Sequence, residues 1–251
     1  MLTVENEGAA LACEVTGEGP VLLTIAGGGG TGARYQALAR ALPDFTVVTW
    51  DRRCCGASTG DRDLPLDMDQ QARDALALID ALGAERAHVF GNSGGANIAL
   101  RLAEIAPERV GAVIAHEPPV LPLLPDAAKW VAFSDRLAAI CREDGPFAAM
   151  GLFISEVPGV DGPPPPPRPG PADLRRFLLS ELTVRCRYAP GPLEGVRLTL
   201  AVGADSGDAY YVRAAHTLAE RTGAPLEMIA GHHFSYIDQP EVFARLIREA
   251  I

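Results

Sequence analysis

The chain has 251 residues, of which 48% are hydrophobic and 22% charged, so it can bury a large core and is far from the composition of a disordered protein. Against 22 Lys and Arg stand 32 Asp and Glu, a formal net charge of −10 with no basic cluster, which argues against a phosphate-tracking nucleic-acid surface. No apolar run reaches membrane-spanning length, so a membrane role is not expected either. Residues 2–15, broken at Gly8, read as an antiparallel hairpin at a sheet edge. Apolar runs at 21–25, 45–50, 87–90, 110–115, 198–202 and, more weakly, 226–229 read as buried strands. Helix-period segments separate most of them: 69–82 places Ala72, Ala75, Leu76, Ile79 and Leu82 on one face, and 96–105 forms another. This alternation predicts an α/β protein with a mostly parallel, doubly wound sheet.

Between about 120 and 192 the alternation stops. An amphipathic stretch near 127–141, a proline and glycine tract at 162–171 and a helical stretch near 172–187 replace it. The expected organisation is a core of residues 1–119 and 193–251 with a mainly helical cap, 120–192, inserted into it. Five consecutive prolines, Pro163 to Pro167, predict a stiff exposed loop within the cap. The first seven residues, from Met1 to Glu7, show no secretory pattern. Cys13, Cys54, Cys55, Cys141 and Cys186 form neither an even disulfide framework nor a Cys-x-x-Cys pair, so free thiols and a cytoplasmic location are expected. No spacing of His, Cys, Asp and Glu suggests a metal, and no cofactor is expected.

Three short runs carry the chemistry. Gly91-Asn92-Ser93-Gly94-Gly95, after the run 87–90, has the Gly-x-Ser-x-Gly form in which a serine sits on a strained strand-to-helix turn. Flanking glycines remove the Cβ atoms that would clash where the strand end folds back over the helix. Serine is a poor nucleophile without a base, and His233 in Gly231-His232-His233-Phe234 is placed to supply one, ahead of its neighbour His232, on a loop before a helix opened by Pro240. A carboxylate must orient that histidine. The segment Gly203-Ala204-Asp205-Ser206 carries serine where a Gly-x-x-Asp pattern would place the acid. Glu117 in His116-Glu117-Pro118-Pro119, at the end of the strand after the serine helix, is therefore the expected acid, at the active-site rim, with Asp205 and Asp208 as alternatives. His116 is expected to face the other way and pack.

Charge that develops on the attacked carbonyl needs two backbone N–H donors. Gly94 supplies one by position, and Gly28 in the run Gly27 to Gly30 suits the second. That run lacks the spacing and distant acid of a dinucleotide site. Asp51-Arg52-Arg53 reads as a turn that buries charge by pairing, with Cys54 and Cys55 filling it.

In these residues the chain resembles the α/β-hydrolase superfamily, and within it is most similar to the zearalenone lactone hydrolases. They share a Gly-x-Ser-x-Gly elbow, a His-Glu-x-Pro run and a Gly-x-His-Phe-x-Tyr loop, matched here by Ser93, Glu117 and His233. The resemblance implies a catalytic glutamate at 117. It departs where those enzymes place a substrate-contacting tryptophan late in the cap, since Thr183-Val184-Arg185 stands there instead. The function implied is hydrolysis of an ester or lactone of a small-to-medium apolar molecule by a serine enzyme. Trp130, Phe133, Leu137, Met150, Phe153 and Phe177 are the candidate pocket residues. A cofactor-free C–C hydrolase, lyase or cyclase, or a ligand-binding receptor without turnover, uses the same scaffold and stays open, as does a homodimer.

Overall fold

The computed structural model describes residues 1–157 and 169–251, so the prolines from Pro163 to Pro167 lie outside the described residues. Strands β1 (Leu2–Asn6) and β2 (Ala9–Thr16) pair antiparallel, Asn6 opposite Ala9. Glu7 and Gly8 between them have φ of 43° and 75°, the left-handed pair that a tight hairpin turn demands. Next along the chain are β3 (Val21–Ile25), α1 (Gln36–Arg40), β4 (Thr46–Trp50), α2 (Met68–Ala81), β5 (Ala87–Asn92), α3 (Gly94–Ile105) and β6 (Val110–His116). An excursion then holds α4 (Ala127–Glu143), α5 (Pro146–Glu156), α6 (Pro171–Arg176) and α7 (Leu182–Arg185), before the chain re-enters the sheet as β7 (Arg197–Gly203). It closes with α8 (Tyr210–Thr222), β8 (Leu226–Ile229), α9 (Ser235–Asp238) and α10 (Pro240–Ala250).

The sheet has the order β1-β2-β4-β3-β5-β6-β7-β8, eight strands among the described residues, antiparallel only where β2 meets β1 and β4. Its central strands are apolar over most of their length because helices cover both faces. Successive residues alternate between two cores: Leu23, Val48, Val89 and Val113 pack with α2 and α3, while Leu22, Val47, Phe90 and Ile114 pack with α1 and α10. In α2, opened by the Asp67 carboxylate accepting the Asp69 N–H at 2.8 Å, Ala72, Ala75 and Ile79 are buried as expected. Leu78 takes the core position, and Leu76 and Leu82 are only partly buried.

The excursion between β6 and β7 holds one helix that the sequence pattern does not reveal, α5, which starts on Pro146. The expected single stretch near 172–187 is α6 and α7 joined by one π-helical turn, Phe177–Glu181. In that turn Phe177 lies against Gly28 and Glu181 pairs with Arg52. No helix among the described residues is long and apolar enough to cross a membrane, and the five cysteines are free and buried.

Candidate active site

Ser93 sits between β5 and α3 with φ 54° and ψ −128°, a strained conformation for a side chain with a Cβ. Close backbone approach enforces it. A Cβ on Gly91 would lie 2.5 Å from the Gly95 carbonyl oxygen, and one on Gly95 would overlap that of Ile25. The Ser93 N–H donates to His116 O at 2.9 Å, tying the turn to the end of β6. Gly94 opens α3, so its N–H has no partner within the helix and points the positive helix end at whatever occupies the site. Across from it the glycine run turns sharply, Gly30 N–H donating to Gly27 O at 3.1 Å. Gly28, Gly94, Ser93 and His233 line one cavity.

β6 does not end at the rim of that cavity. Glu117 keeps the pairing with β7 by donating its N–H to Ala201 O at 2.9 Å, then reverses the chain itself at φ 49°, ahead of the prolines. Its side chain is fully buried, not at the rim as expected. Glu117 Oε2 lies 2.5 Å from His233 Nδ1, and Oε1 accepts the Gly203 N–H at 2.9 Å. Burial alone would raise the carboxyl, but the neighbouring charges of His116 and His233 and the His233 hydrogen bond outweigh it and lower it to about 2. Ser206, in the place of the expected acid, is buried beside this carboxylate close enough to help lower it, without good hydrogen-bond geometry.

Asp205 is exposed, and its N–H donates to Gly231 O at 2.8 Å. Asp208 is 92% exposed and lies 3.9 Å from Arg213. Neither carboxylate is brought to His233. His232, the rival base, faces Asp238 at 3.6 Å, and its Nδ1 accepts the Phe234 N–H. The His233 ring is held by Tyr211 and Phe234, with centroids 4.3 and 5.2 Å away.

One supporting residue, Asn92, has no role assigned from the sequence. Asn92 Nδ2 donates to His116 Nδ1 at 2.9 Å and to His233 O at 3.1 Å, joining the elbow to both loops that approach it. Accepting at Nδ1 gives His116 the Nε2–H tautomer, and Nε2 lies 3.8 Å from Glu117 Oε1. Burial drives His116 down to about 4, so it is neutral near pH 7. It packs edge-on against Phe243 at 4.9 Å, in keeping with a packed histidine.

Of the candidate pocket residues, Met150, Phe153 and Phe177 line the cavity. Phe177 lies on Gly28 so closely that a Cβ there would be 2.9 Å from its ring. Trp130, Phe133 and Leu137 do not line the cavity and pack elsewhere instead. Trp130 lies against Tyr210 and Phe133, with centroids 4.7 and 6.1 Å away, and Leu137 is fully buried in the core. α4 is buried on the face the periodicity marks, but that face does not reach the cavity.

The Asp51-Arg52-Arg53 turn pairs its charges as expected. Asp51 accepts the N–H groups of Gly32 and Ala57 at 2.9 and 2.8 Å, and Arg53 grips both oxygens of Asp74 at 2.6 and 2.9 Å. Arg52 donates to Gln71 Oε1, Gly27 O and Glu181 Oε2, at 2.9, 2.8 and 2.8 Å. Burial pushes the Cys55 thiol up to about 11, so it stays protonated at neutral pH and is a packing group rather than a nucleophile.

Sheet order, strained serine turn and buried carboxylate–imidazole pair define a doubly wound α/β protein with a strand-to-helix serine turn at Ser93. The chain belongs to the alpha/beta hydrolase fold family, whose profile matches residues 20–155. It is similar to the uncharacterized hydrolase YraK of Bacillus subtilis, 36% identical over 126 residues that make up 49% of this chain and 46% of that protein. The chain spans less than half the length of the curated relatives it matches. Among solved structures it is similar to an alpha/beta hydrolase from Sphaerobacter thermophilus, with TM-score 0.78 and 26% identity over 99% of both chains. A thermophilic esterase from Thermogutta terrifontis has the same fold, with TM-score 0.75 and 20% identity over 99% of this chain and 96% of that one.

Proposed function

We propose that the chain is a serine hydrolase that cleaves an ester or lactone of a small-to-medium, largely apolar molecule. Ser93 is the nucleophile, His233 the general base and Glu117 the acid that orients it. The observation that carries this reading is the 2.5 Å contact between Glu117 Oε2 and His233 Nδ1, behind a cavity that Ser93 and His233 share. His233 Nε2 takes the Ser93 proton as Oγ attacks the carbonyl carbon. The oxyanion lies between the N–H groups of Gly28 and Gly94, which are fixed before the charge develops. His233 then protonates the leaving oxygen, and the acyl-enzyme is cleared when His233 takes a proton from water. Glu117 stays ionised throughout, consistent with a carboxyl held at about 2, and stabilises the imidazolium that forms twice.

Residues 120–192 act as the cap over this site, and Met150, Phe153 and Phe177 give it an apolar wall. The test is labelling with a fluorophosphonate together with a stopped-flow assay on 4-nitrophenyl esters. Stoichiometric modification of Ser93 and a burst of nitrophenol are expected. An unlabelled Ser93 in folded protein refutes the hydrolase reading, and labelling without ester turnover favours C–C cleavage or a lyase step on the same residues.

A further inference from the structure

Three guanidinium groups share one carboxylate beneath the cap. Glu181 Oε2 is 2.8 Å from Arg52 Nη2 and 2.8 Å from Arg185 Nη2, and Oε1 is 3.9 Å from Arg176 Nε and 3.9 Å from Cys55 Sγ. All four charged groups are buried. Arg52 is fully engaged with Gln71, Gly27 and Glu181. Arg185 is not.

Only 3% exposed, Arg185 has Nε and Nη2 without a partner in hydrogen-bond geometry, although Nη2 lies within ion-pair distance of Glu181. Its side chain crosses Gly94, the residue next to the nucleophile. A Cβ on Gly94 would overlap Arg185 Nη1, so glycine there makes room for the guanidinium as well as for the turn. Arg185 lines the cavity that Ser93 and His233 share.

Arg34 lines the same cavity from the glycine run. It is 8% exposed, donates from Nη1 to Gly28 O at 3.2 Å, and leaves Nε without a partner. The wall carboxylate Asp173 lies 3.6 Å from a different cation, Arg62. Burial holds Arg185 down to about 10, which still leaves it charged at neutral pH. A largely apolar cavity therefore has two cations on its wall, each with an Nε that lacks a hydrogen-bond partner. A buried N–H donor without an acceptor is unfavourable, and a carboxylate matches the planar guanidinium fork with two parallel hydrogen bonds.

We propose that the substrate carries a carboxylate, held by Arg185 beside the oxyanion amides and assisted by Arg34, so that the molecule cleaved is a hemiester or a lactone acid rather than a neutral ester. This rests on the hydrolase reading above and narrows its substrate class. Arg185 is then the residue that sets specificity, placed in the cap where it can select without taking part in proton transfer.

Kinetics on a matched pair test it: mono-4-nitrophenyl glutarate against 4-nitrophenyl pentanoate, in wild type, Arg185→Gln, Arg185→Lys and Arg34→Gln. A charge-assisted contact of the usual strength predicts a wild-type kcat/KM ratio favouring the anionic ester by roughly 10- to 150-fold. Arg185→Gln is expected to collapse that ratio, mainly through KM, and Arg185→Lys to keep part of it. An equal wild-type preference for the two esters overturns the proposal. So does an Arg185→Gln protein that loses the same factor on both, since that marks a structural or oxyanion role. Calorimetry with monomethyl glutarate and methyl pentanoate on Ser93→Ala protein separates the two readings. Selective binding of the anion with no turnover by wild type retains the carboxylate site and removes the hydrolase, while turnover with no selectivity does the opposite.

Discussion

Replacing Glu117 by Gln changes one oxygen to an amide nitrogen at constant shape, and the two hydrogen bonds of the carboxylate determine the effect. Both oxygens are in use, Oε1 by the Gly203 N–H and Oε2 by His233 Nδ1. A glutamine has a single acceptor. If it stays on Gly203, the amide NH2 faces His233 Nδ1, turns it into an acceptor and puts the ring proton on Nε2, where it can no longer take the Ser93 proton. If the amide flips, two donors meet at Gly203. The first arrangement imposes the wrong tautomer, and an acid-to-amide change of that kind lowers kcat by about 10⁴, or about 5 kcal/mol of transition-state stabilisation. One weakened buried hydrogen bond costs about 1–3 kcal/mol, of order 2–10 °C in Tm for a domain this size, so the protein stays folded at 25 °C. Steady-state kcat on a 4-nitrophenyl ester, normalised to active sites and paired with a melting curve, gives both numbers. Glu117 is not the orienting acid if Glu117→Gln stays within tenfold of wild type, or if Asp205→Asn or Asp208→Asn shows the steep loss instead.

Asn92→Ala removes the two donor contacts that join the elbow to His116 and His233; kcat should fall roughly ten- to a hundredfold with KM little changed, and an unaltered kcat would show that the loops need no such tie. His116 takes its proton near pH 6.5 when unfolded but only near 4 when folded, so the unfolded state binds more protons between those values. Stability is then full above about 6.5 and falls as the pH drops to 4, by about 3 kcal/mol. Urea titrations at several pH values should show that loss, with a shallower slope over the same window in His116→Asn; equal slopes would assign the acid sensitivity to another group. Glu181→Gln strips the buried counter-charge from Arg52 and Arg185 and should destabilise by about 3–5 kcal/mol in urea unfolding, whereas Asp135→Asn, in an exposed pair with Arg187, should stay within about 1 kcal/mol. Similar effects from the two would mean that the buried cluster is no more important than a surface pair.

Much of the fold is legible because the sheet is covered on both faces. Continuous apolar runs such as Val21–Ile25 admit no other placement, and Gly8 marks the hairpin because its turn needs positive φ. The π-helical turn at Phe177–Glu181 carries no comparable signal, because its composition is that of an ordinary helix. Helix α5 is apolar or small over most of its length, so its periodicity is weak. In α4 the buried face is legible, but periodicity cannot tell a face packed into a core from one lining a cavity, so Trp130, Phe133 and Leu137 look like pocket residues in the sequence. Glu117 is a different case. Its position after β6 follows from the sequence, yet its burial depends on a glutamate adopting φ 49°, which no residue-type rule suggests. The role of Asn92 is invisible for a simpler reason, since its contacts with His116 and His233 span 24 and 141 residues of chain.

Arg52 shows why the turn after β4 matters to chemistry that it does not perform. Its guanidinium reaches the glycine run through Gly27 O, helix α2 through Gln71 and the π-helical turn through Glu181. These are the parts that frame the Ser93 cavity: the loop that presents Gly28, the core beneath it, and the cap segment that carries Phe177 and Arg185. A neutral residue of the same volume could fill the space but could not fix three partners at once, because only a forked cation offers donors in that many directions. Charge is therefore retained in the interior where geometry must be shared between core and cap. The same Glu181 that anchors Arg52 also holds Arg185 over Gly94, so the position of the glycine run and the position of the cap cation are set by one carboxylate.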